Sequence, residues 1–403
     1  MPSIESTTST PISPARRLAP FYYAATSALF FAASSAPTPL YRLYQQAFAF
    51  SPVLITVIFA VYAFALLVAL LIVGSISDHL GRRPVIFVSI LLNMVAMALF
   101  LMAEGPNWLI VARIVQGLAT GAAASSIGAA LVDLDPIKGS ITNSLAPLAG
   151  MAIGALGTSL LVEYAPAPTL LVYAVTLVLL AIQAVLLWLV PETTRRRAGL
   201  LASLKPEVAV PPQARRALLA LTPINVAVWA LGGFYLSLVP SLVSATTGST
   251  APLVGGSVVA ALTISGAGAV FLLRKRSAAT SMTFGISSMT LGVLTVVAGV
   301  HAAEVSILAA GTLIAGAGFG ATFLGTVRSI MPLAKPDERA GLLSAFYIQS
   351  YLAFSVPAIL AGFLSKALGF AAAADIYAAA ILLLVGWGVL ALRAGKEKPL
   401  SIA

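Results

Sequence analysis

The sequence has no cysteine, only two histidines and few charged residues. Asp, Glu, Lys and Arg together make up 9% of the 403 residues. Without Cys the chain can form no disulfide, iron–sulfur cluster or thiol nucleophile. His79 and His301 lie far apart in the chain, and neither a cluster of metal ligands nor an activated Ser accompanies them. We therefore expect no enzyme activity, no metal and no other cofactor.

Apolar sequence, in contrast, is abundant. Hydrophobic residues account for 60% of the chain, and the mean hydropathy is +1.01, more than a soluble core requires. A helix that spans a bilayer takes about 20 mostly apolar residues. Such runs cover residues 18–38, 52–73, 84–103, 107–131, 141–162, 168–190, 217–243, 251–273, 280–300, 304–327, 341–365 and 369–392. No alternating strand pattern recurs, so the sequence predicts an all-α membrane protein with twelve transmembrane helices.

The basic residues fall on one side of the predicted membrane. If the N-terminus, the even-numbered connections and the C-terminus share a side, that side holds all of the 23 Lys and Arg residues except Arg42, Arg113 and Lys366. By the positive-inside rule, both termini are cytoplasmic and the chain crosses the inner (plasma) membrane many times. A basic surface facing anionic membrane lipid explains the net charge of +10, so no nucleic-acid partner is needed.

The longest polar interruption divides the twelve runs into six and six. It contains an Arg triplet and Pro206, Pro211 and Pro212, which is typical of a flexible linker. The predicted organisation is a disordered cytoplasmic tail over 1–17, a six-helix bundle over 18–190, a cytoplasmic linker over 191–216, a second six-helix bundle over 217–393 and a cytoplasmic tail over 394–403.

The two predicted bundles repeat sequence features in the same order. Gly117 and Gly121 in the fourth run correspond to Gly316 and Gly320 in the tenth, each pair displaced by 199 residues. A basic cluster follows both the second and the eighth runs. These echoes indicate two pseudo-symmetric halves, and parallel repeats of this kind form transporters with a cavity between the halves.

The loop between the second and third runs, residues 74–84, reads GSISDHLGRRP. We expect Gly74 to permit a close approach of helices and Gly81 to supply a tight turn. Asp78 can pair with a cation or a helix N-terminus of the opposite half. The alternative is that the basic residues of this loop only obey the positive-inside rule.

Two arginines end this loop. Arg82 and Arg83 are expected to reach carboxylates such as Asp133 or Asp135 at the inner end of the fourth run. The loop as a whole resembles the signature loop of the major facilitator superfamily. That resemblance extends over the whole chain and includes the triplet Pro191-Glu192-Thr193 that closes the sixth run.

A second signature, RIVQGLATG over residues 113–121 of the fourth run, resembles the fourth-helix motif of the same superfamily. Arg113, Gln116 and Thr120 share one helical face and are predicted to line a central cavity, whereas Gly117 and Gly121 pack against a neighbouring helix. A charge in the apolar interior costs about 2.5–3.5 kcal/mol. Arg113 therefore either binds an anionic substrate or modulates protonation of an acid; alternatively, it braces a helix carbonyl or reaches the outer interface.

A third motif of the superfamily is incomplete. Gly150, Gly154 and Gly157 in the fifth run match the glycines of the antiporter motif and are predicted to pack helices. The proline expected after the central glycine is Ala155. This departure weakens an assignment as an exporter and favours uptake.

No acidic residue lies deep in the first or fourth run, where many proton-coupled members of the superfamily carry one. Only Asp375, near the outer end of the twelfth run, is predicted to be embedded. Proton coupling is therefore an expectation from the family, with Asp375 or Asp133 as carriers, and facilitated diffusion stays open.

Aromatic and polar side chains at helical spacing suggest a binding surface. Asn225 and Trp229 lie four residues apart in the seventh run, and Tyr347 and Tyr351 lie four apart in the eleventh. Such groups suit an amphipathic or aromatic organic solute better than a bare ion or a sugar. The alternative is that they serve helix packing or the interfacial belt.

Together these features predict a monomeric secondary transporter of a small organic solute, which works by alternating access and exports its solute in exchange for protons. No phosphate-binding loop of the Gly-x-x-x-x-Gly-Lys-Ser type is present, so ATP does not drive it directly. The alternatives are an uptake carrier or facilitator of a small organic anion, and a membrane sensor that does not transport.

Overall fold

The structure, a computed structural model, describes residues 14–194, 205–249 and 251–396, and within these ranges it contains helices, turns and no strand. The helices are α1 (Pro14–Ser35), α2 (Pro37–Phe48), α3 (Pro52–Val73), α4 (Ile76–Leu80), α5 (Arg82–Leu101), α6 (Pro106–Leu134), α7 (Pro136–Tyr164), α8 (Pro168–Leu186), α9 (Pro212–Ser237), α10 (Val239–Thr247), α11 (Pro252–Leu273), α12 (Ala278–Ala302), α13 (Val305–Ile330), α14 (Arg339–Leu368) and α15 (Phe370–Lys396). Short 3₁₀ turns extend α8 and α13.

Eleven helices of the described ranges are long and apolar enough to cross a membrane, namely all except α1, α2, α4 and α10. The 22-residue helix α1 packs against α6 and α7 in the first bundle, as the first predicted span requires. Its Tyr, Thr and Ser side chains lower its hydropathy. With α1, the long helices match the twelve predicted runs.

The predicted tails and linker differ from the structure at their edges. Helix α1 begins at Pro14, inside the predicted 1–17 tail, and α15 extends to Lys396, inside the predicted 394–403 tail. Helix α9 begins at Pro212, inside the predicted linker. Proline suits the first turn of a helix because the N–H that it lacks would have no acceptor there. Residues 1–13, 195–204 and 397–403 lie outside the described ranges.

Two predicted runs, 18–38 and 217–243, are each interrupted by prolines. The first breaks at Ala36, ahead of Pro37, and the second at Leu238, ahead of Pro240. A proline removes the donor to the carbonyl four residues earlier, which explains why both runs divide. The breaks fall at matching positions of the two halves.

The helix contacts of the two halves repeat as the glycine pattern predicts. In the first half, a Cβ on Gly117 or Gly121 of α6 would come within 2.4 Å of carbonyl oxygens of α3, those of Tyr62 and Leu66. In the second half, a Cβ on the matching glycines of α13 would meet carbonyl oxygens of α11 at matching positions, those of Leu262 and Gly266, at 2.3 and 2.1 Å. The predicted packing of α6 through its glycines is therefore present, and it recurs in the second half.

The halves meet through α3 against α14 and α7 against α11. We call the end of the molecule with the 74–84 loop the basic end and the opposite end, with α2 and α10, the far end. At the far end, Gly362 of α14 contacts Thr56 of α3, and Gly256 of α11 contacts Ser159 of α7. Thr38 Oγ1 of α2 also donates to the Leu236 carbonyl at 2.9 Å. The halves are thus joined at the far end.

Candidate functional site

The loop at the basic end is built around Gly81 and Glu192. Gly81 has φ +104° and ψ 150°, a conformation that favours glycine almost exclusively, and a Cβ there would lie 2.7 Å from Glu192 Oε2. The Glu192 carboxylate accepts from the backbone N–H groups of Arg82 at 2.9 Å and Arg83 at 3.1 Å. A carboxylate at the N-terminus of α5 satisfies donors that have no partner within the helix. The tight turn predicted for Gly81 is present.

Arg82 is the buried centre of this loop. Its guanidinium donates to Asp78 Oδ1 at 2.6 Å, to Asp133 Oδ2 at 3.2 Å and to Ser77 Oγ at 2.6 Å. The pair with Asp133 was expected. Asp78, in contrast, pairs within its own loop and not with the opposite half, because the turn at Gly81 brings Arg82, the first residue of α5, against Asp78 of α4.

Arg83 reaches neither of the two expected carboxylates. Its Nη2 donates to the Trp188 carbonyl at 3.1 Å, and its guanidinium carbon lies 5.2 Å from the centre of the Trp188 ring. Asp135 instead caps α7, where its side chain accepts from the N–H groups of residues 137 and 138. Sequence reasoning recognised residues 191–193 only as a familiar triplet and missed the role of Glu192. An acid that follows the sixth span was the available signal.

The predicted packing glycines divide into two groups. A Cβ on Gly150 or Gly154 of α7 would lie 2.2 and 2.1 Å from carbonyl oxygens of α1, which agrees with the predicted close approach. Nothing lies within 4 Å of a Cβ on Gly157, because α1 ends at Ser35, opposite Gly154. The prediction of a close helix approach at Gly74 was also wrong, since its nearest atoms belong to Leu70 of the same helix.

Arg113 and Gln116 of α6 donate hydrogen bonds to carbonyls at the C-terminal end of α1. Pro37 has no N–H to give to the Ala33 carbonyl, and Gln116 Nε2 donates to that oxygen at 2.9 Å. Arg113 Nη1 donates to the Ser34 carbonyl at 2.8 Å and to Gln116 Oε1 at 2.7 Å. The side chains therefore occupy carbonyls that the proline break leaves open.

The three polar residues of the fourth run that were predicted to line a cavity are buried. Arg113 is 1% exposed, and Gln116 and Thr120 are 0% exposed. Thr120 Oγ1 donates to the Gln116 carbonyl of its own helix at 2.8 Å. The guanidinium carbon of Arg113 lies 4.3 Å from the centre of the Tyr62 ring. A helix C-terminus stabilises a cation by up to about 2 kcal/mol, whereas burying the charge costs several. The carbonyls of α1 thus compensate only part of the cost.

The second half brings the predicted aromatic residues together. The Trp229 ring of α9 lies 5.1 Å from Tyr351 of α14 between ring centres, and Tyr351 lies 6.1 Å from Tyr347. Phe323 of α13 and Phe354 of α14 flank Trp229 at 6.1 and 5.8 Å. Trp229 and Tyr347 are partly exposed, and no hydrogen-bond partner satisfies the indole N–H. These five rings, which we call the aromatic cluster, offer partly exposed ring faces, and the indole N–H of Trp229 is buried beside them without a partner.

Asn225 lies one turn from Trp229 on α9 and is 2% exposed. Its Nδ2 donates to Gln349 Oε1 and to Ser350 Oγ, each at 3.0 Å, and Gln349 Nε2 donates to Thr222 Oγ1 at 2.6 Å. This network fixes α9 against α14 beside the aromatic cluster. Asn225 therefore positions the two helices that carry Trp229 and Tyr351.

The predicted proton carriers lie away from this cluster. Asp375 was predicted to be embedded, but it lies at the far end, where its side chain is 39% exposed and His301 Nε2 lies 3.0 Å from Oδ1. It is exposed because α15 begins at Phe370, only five residues before it. The side chain of Asp133 is 30% exposed and is bound to Arg82. Among the described residues, no Asp or Glu is buried.

Comparisons with known proteins concern the family and the fold of the whole chain. A family model described as Major Facilitator Superfamily matches residues 23–303. No curated protein matches the chain. Among solved structures, the nucleoside transporter NupG aligns with a TM-score of 0.74 at 11% identity, over 93% of this chain and 99% of NupG.

Two further structures have the same fold. The human organic anion transporter MFSD10 (TETRAN) aligns with a TM-score of 0.66 at 16% identity, over 93% of this chain and all of that one. A partially occluded inward-open form of the xylose transporter XylE from E. coli aligns with a TM-score of 0.70 at 14% identity, over 96% of this chain and 98% of that one. The family match covers well over half of the sequence, and the helices repeat in two halves. The protein belongs to the Major Facilitator Superfamily and has the all-α fold of its membrane transporters.

Proposed function

We propose that the protein is a secondary carrier of a small aromatic or amphipathic organic solute, which binds between the two halves against the aromatic cluster. The observation that carries this proposal is the set of rings contributed by three helices of one half, with Trp229 and Tyr347 partly exposed and the indole N–H buried without a partner. Ring faces bind aromatic solutes, and a few polar groups such as the indole N–H and the tyrosine hydroxyls orient a polar substituent. A heavily hydroxylated sugar would need more polar partners than this surface supplies.

Alternating access would expose this surface to each side in turn. The halves meet at the far end through α2, α10 and the close glycine contacts, which supports a cluster that opens toward the basic end. By the positive-inside rule we assign the basic end and both termini to the cytoplasm, and the protein to the inner membrane. Because the chain has no native Cys, this assignment can be tested with single Gln46→Cys and Lys275→Cys variants. An impermeant maleimide should label only position 46 in right-side-out vesicles, and the reverse pattern would contradict it.

Substrate class is tested with purified protein in liposomes. Candidate solutes are a labelled aromatic cation, an aromatic carboxylate, a neutral aromatic compound and xylose, each measured by counterflow. We expect exchange of at least one aromatic solute and none of xylose. Trp229→Ala should reduce the rate at least tenfold, whereas Trp229→Phe should retain part of it. Trp387→Ala is the matched control, since Trp387 is 64% exposed on α15. Xylose exchange alone, or equal rates in the Trp229 and Trp387 variants, would overturn the proposal.

For the energy source, the proposal is export in exchange for protons, with Asp133 or Asp375 as carriers. An imposed pH gradient should then drive accumulation in inverted vesicles, and Asp133→Asn or Asp375→Asn should abolish the dependence on pH. A second candidate is an uncoupled facilitator or uptake carrier, including one for an organic anion. The lack of a buried acid among the described residues favours it. A facilitator would equilibrate its solute at the same final level with and without the gradient.

A further inference from the structure

Four polar groups of the first half are buried without a hydrogen-bond partner close to one another. They are the hydroxyls of Tyr41 and Tyr44 on α2, the hydroxyl of Tyr173 on α8 and Nε of Arg113 on α6. Their residues are 3%, 4%, 0% and 1% exposed, in that order. Solvent therefore does not satisfy them. Buried polar groups in proteins are nearly always paired, so a cluster of unpaired ones points to a bound species.

These groups converge from three helices. The Tyr41 hydroxyl lies within hydrogen-bonding reach of Arg113, and the Tyr44 hydroxyl lies within reach of the Tyr173 hydroxyl, but neither pair has the geometry of a formed hydrogen bond. Tyr173 also lies near Tyr41 and Arg113. The four groups thus form one cluster, which we call the tyrosine–arginine cluster, and not four isolated defects.

The chemistry of this cluster is that of a donor set around a positive charge. A guanidinium carries only donors, and each phenol can donate one hydrogen bond. The bonds that Arg113 does make go to neutral oxygens, those of Ser34 and Gln116. No Asp or Glu is buried among the described residues, so no described carboxylate neutralises the charge inside the bundle. A water molecule would satisfy the donors but would leave the charge unbalanced.

We propose that the first half holds a small monovalent anion, a halide or a carboxylate group, between α2, α6 and α8, bound by Arg113 and by the hydroxyls of Tyr41, Tyr44 and Tyr173. This site lies within one half, whereas Trp229 and Tyr351 belong to the other. The anion site therefore does not depend on the proposed solute. The anion would hold α2, which follows the break in α1, against α6 and α8. Since α2 also bonds the second half through Thr38, the anion would stabilise the closed far end.

The test is thermal unfolding of the full-length purified protein in sodium chloride, bromide or formate, against sodium gluconate at equal ionic strength. Gluconate is too bulky for a fully buried site. Wild-type protein should unfold at a higher temperature in chloride or bromide, with a saturable dependence on concentration. A rise with formate as well would identify a carboxylate group as an acceptable ligand, and a rise with halides alone would identify a halide site.

Tyr44→Phe and Tyr173→Phe are the decisive variants, because each removes one unpaired hydroxyl and leaves the ring. We expect the half-saturating chloride concentration to rise at least threefold in each, while stability in gluconate stays equal to wild type or improves. Arg113→Gln should abolish the anion effect, but it also removes the bond to α1, so the tyrosine variants carry the decision. Tyr377→Phe is the control, since that buried hydroxyl already donates to the Ala230 carbonyl at 2.8 Å in the second half.

The proposal is overturned if no anion changes the unfolding temperature of the wild type. It is also overturned if the two tyrosine variants respond to chloride like wild type and Tyr377→Phe, since the hydroxyls would then not bind the anion. A crystal grown in bromide supplies the location: anomalous density between α2, α6 and α8 supports the site, and bromide bound only elsewhere contradicts it.

Discussion

At the scale of single residues, backbone requirements explain more of the basic-end loop than charge does. The sequence predicts an acid, a glycine and two arginines in contact, and the Arg82–Asp133 pair follows that expectation. It could not predict Glu192, because that residue lies 110 positions from Arg82 in the chain. Its role depends on the arrival of the end of α8 beside α5, which is a tertiary event. The choice between Arg82 and Arg83 as the buried partner also depends on packing that charge patterns do not encode.

Gly81→Ala should destabilise the protein by about 1–3 kcal/mol, because an L side chain is strained at φ +104°. The new Cβ would also meet Glu192 Oε2 at 2.7 Å, and the carboxylate would have to leave the two N–H groups that it accepts. Thermal unfolding in detergent measures the effect as a fall of several degrees. Gly268→Ala is the control, since nothing lies within 4 Å of its Cβ in α11, and it should be neutral or stabilising. Equal stability of both variants would contradict this account of Gly81.

At the scale of helices, the prolines and glycines of the sequence determine where helices break and how closely they approach. The length of the apolar runs predicted every long helix. It did not predict the breaks at Ala36 and Leu238, although Pro37 and Pro240 were visible, because a proline within a membrane helix can also be accommodated by a bend. Whether the helix breaks or bends depends on whether a neighbouring side chain donates a hydrogen bond to the carbonyl that the proline leaves without a donor. Here Gln116 and Thr38 supply those donors.

The α1 break can be tested with a double-mutant cycle of Pro37→Ala and Gln116→Leu. Alone, Gln116→Leu leaves the Ala33 carbonyl without a donor and should cost about 1–3 kcal/mol. With Ala at position 37 the backbone N–H can bond that carbonyl, so the same substitution should cost less. The loss of the Arg113 bond to Gln116 occurs in both backgrounds and cancels in the cycle. Unfolding free energies of the four proteins should give a coupling of at least about 0.5 kcal/mol, and additive effects would show that Gln116 does not replace the missing N–H.

Gly150 and Gly157 of α7 belong to the same sequence motif, but only Gly150 lies against α1. Gly150→Ala would place a methyl group 2.2 Å from the Ala28 carbonyl oxygen, so α1 and α7 must separate and stability should fall by about 1–3 kcal/mol. Gly157→Ala meets open space on the same helix and should be neutral or slightly stabilising. Thermal unfolding of the two variants side by side decides the point. A larger loss for Gly157→Ala would mean that α1 continues past Ser35 beside α7.

At the scale of the whole molecule, the sequence predicted two related halves, and the repeated glycine contacts bear this out. It could not predict which ends of the halves touch, because hydropathy locates each span but does not show how the two halves tilt against each other. Embedding of Asp375 was mispredicted for a related reason. Hydropathy locates a span, whereas the depth of one residue depends on where the helix begins and on its partner, here His301.

The contacts that close the far end depend on small residues, so enlarging one of them should open it. A Cβ at Gly256 would lie 1.8 Å from Ser159 Oγ across the interface of the halves, so Gly256→Leu cannot keep α11 against α7. Spin labels at Gln46→Cys and Ser249→Cys, which line the far-end crevice from opposite halves of a chain without native Cys, report the separation. In lipid nanodiscs we expect a longer-distance population to appear for Gly256→Leu and not for Gly268→Leu on the same helix. Because close contact at Gly256 is possible only when the halves touch there, the open population should also exchange solute with the far side faster. An unchanged distance distribution would mean that other far-end contacts, among them Thr38 with the Leu236 carbonyl, are sufficient to keep the halves together.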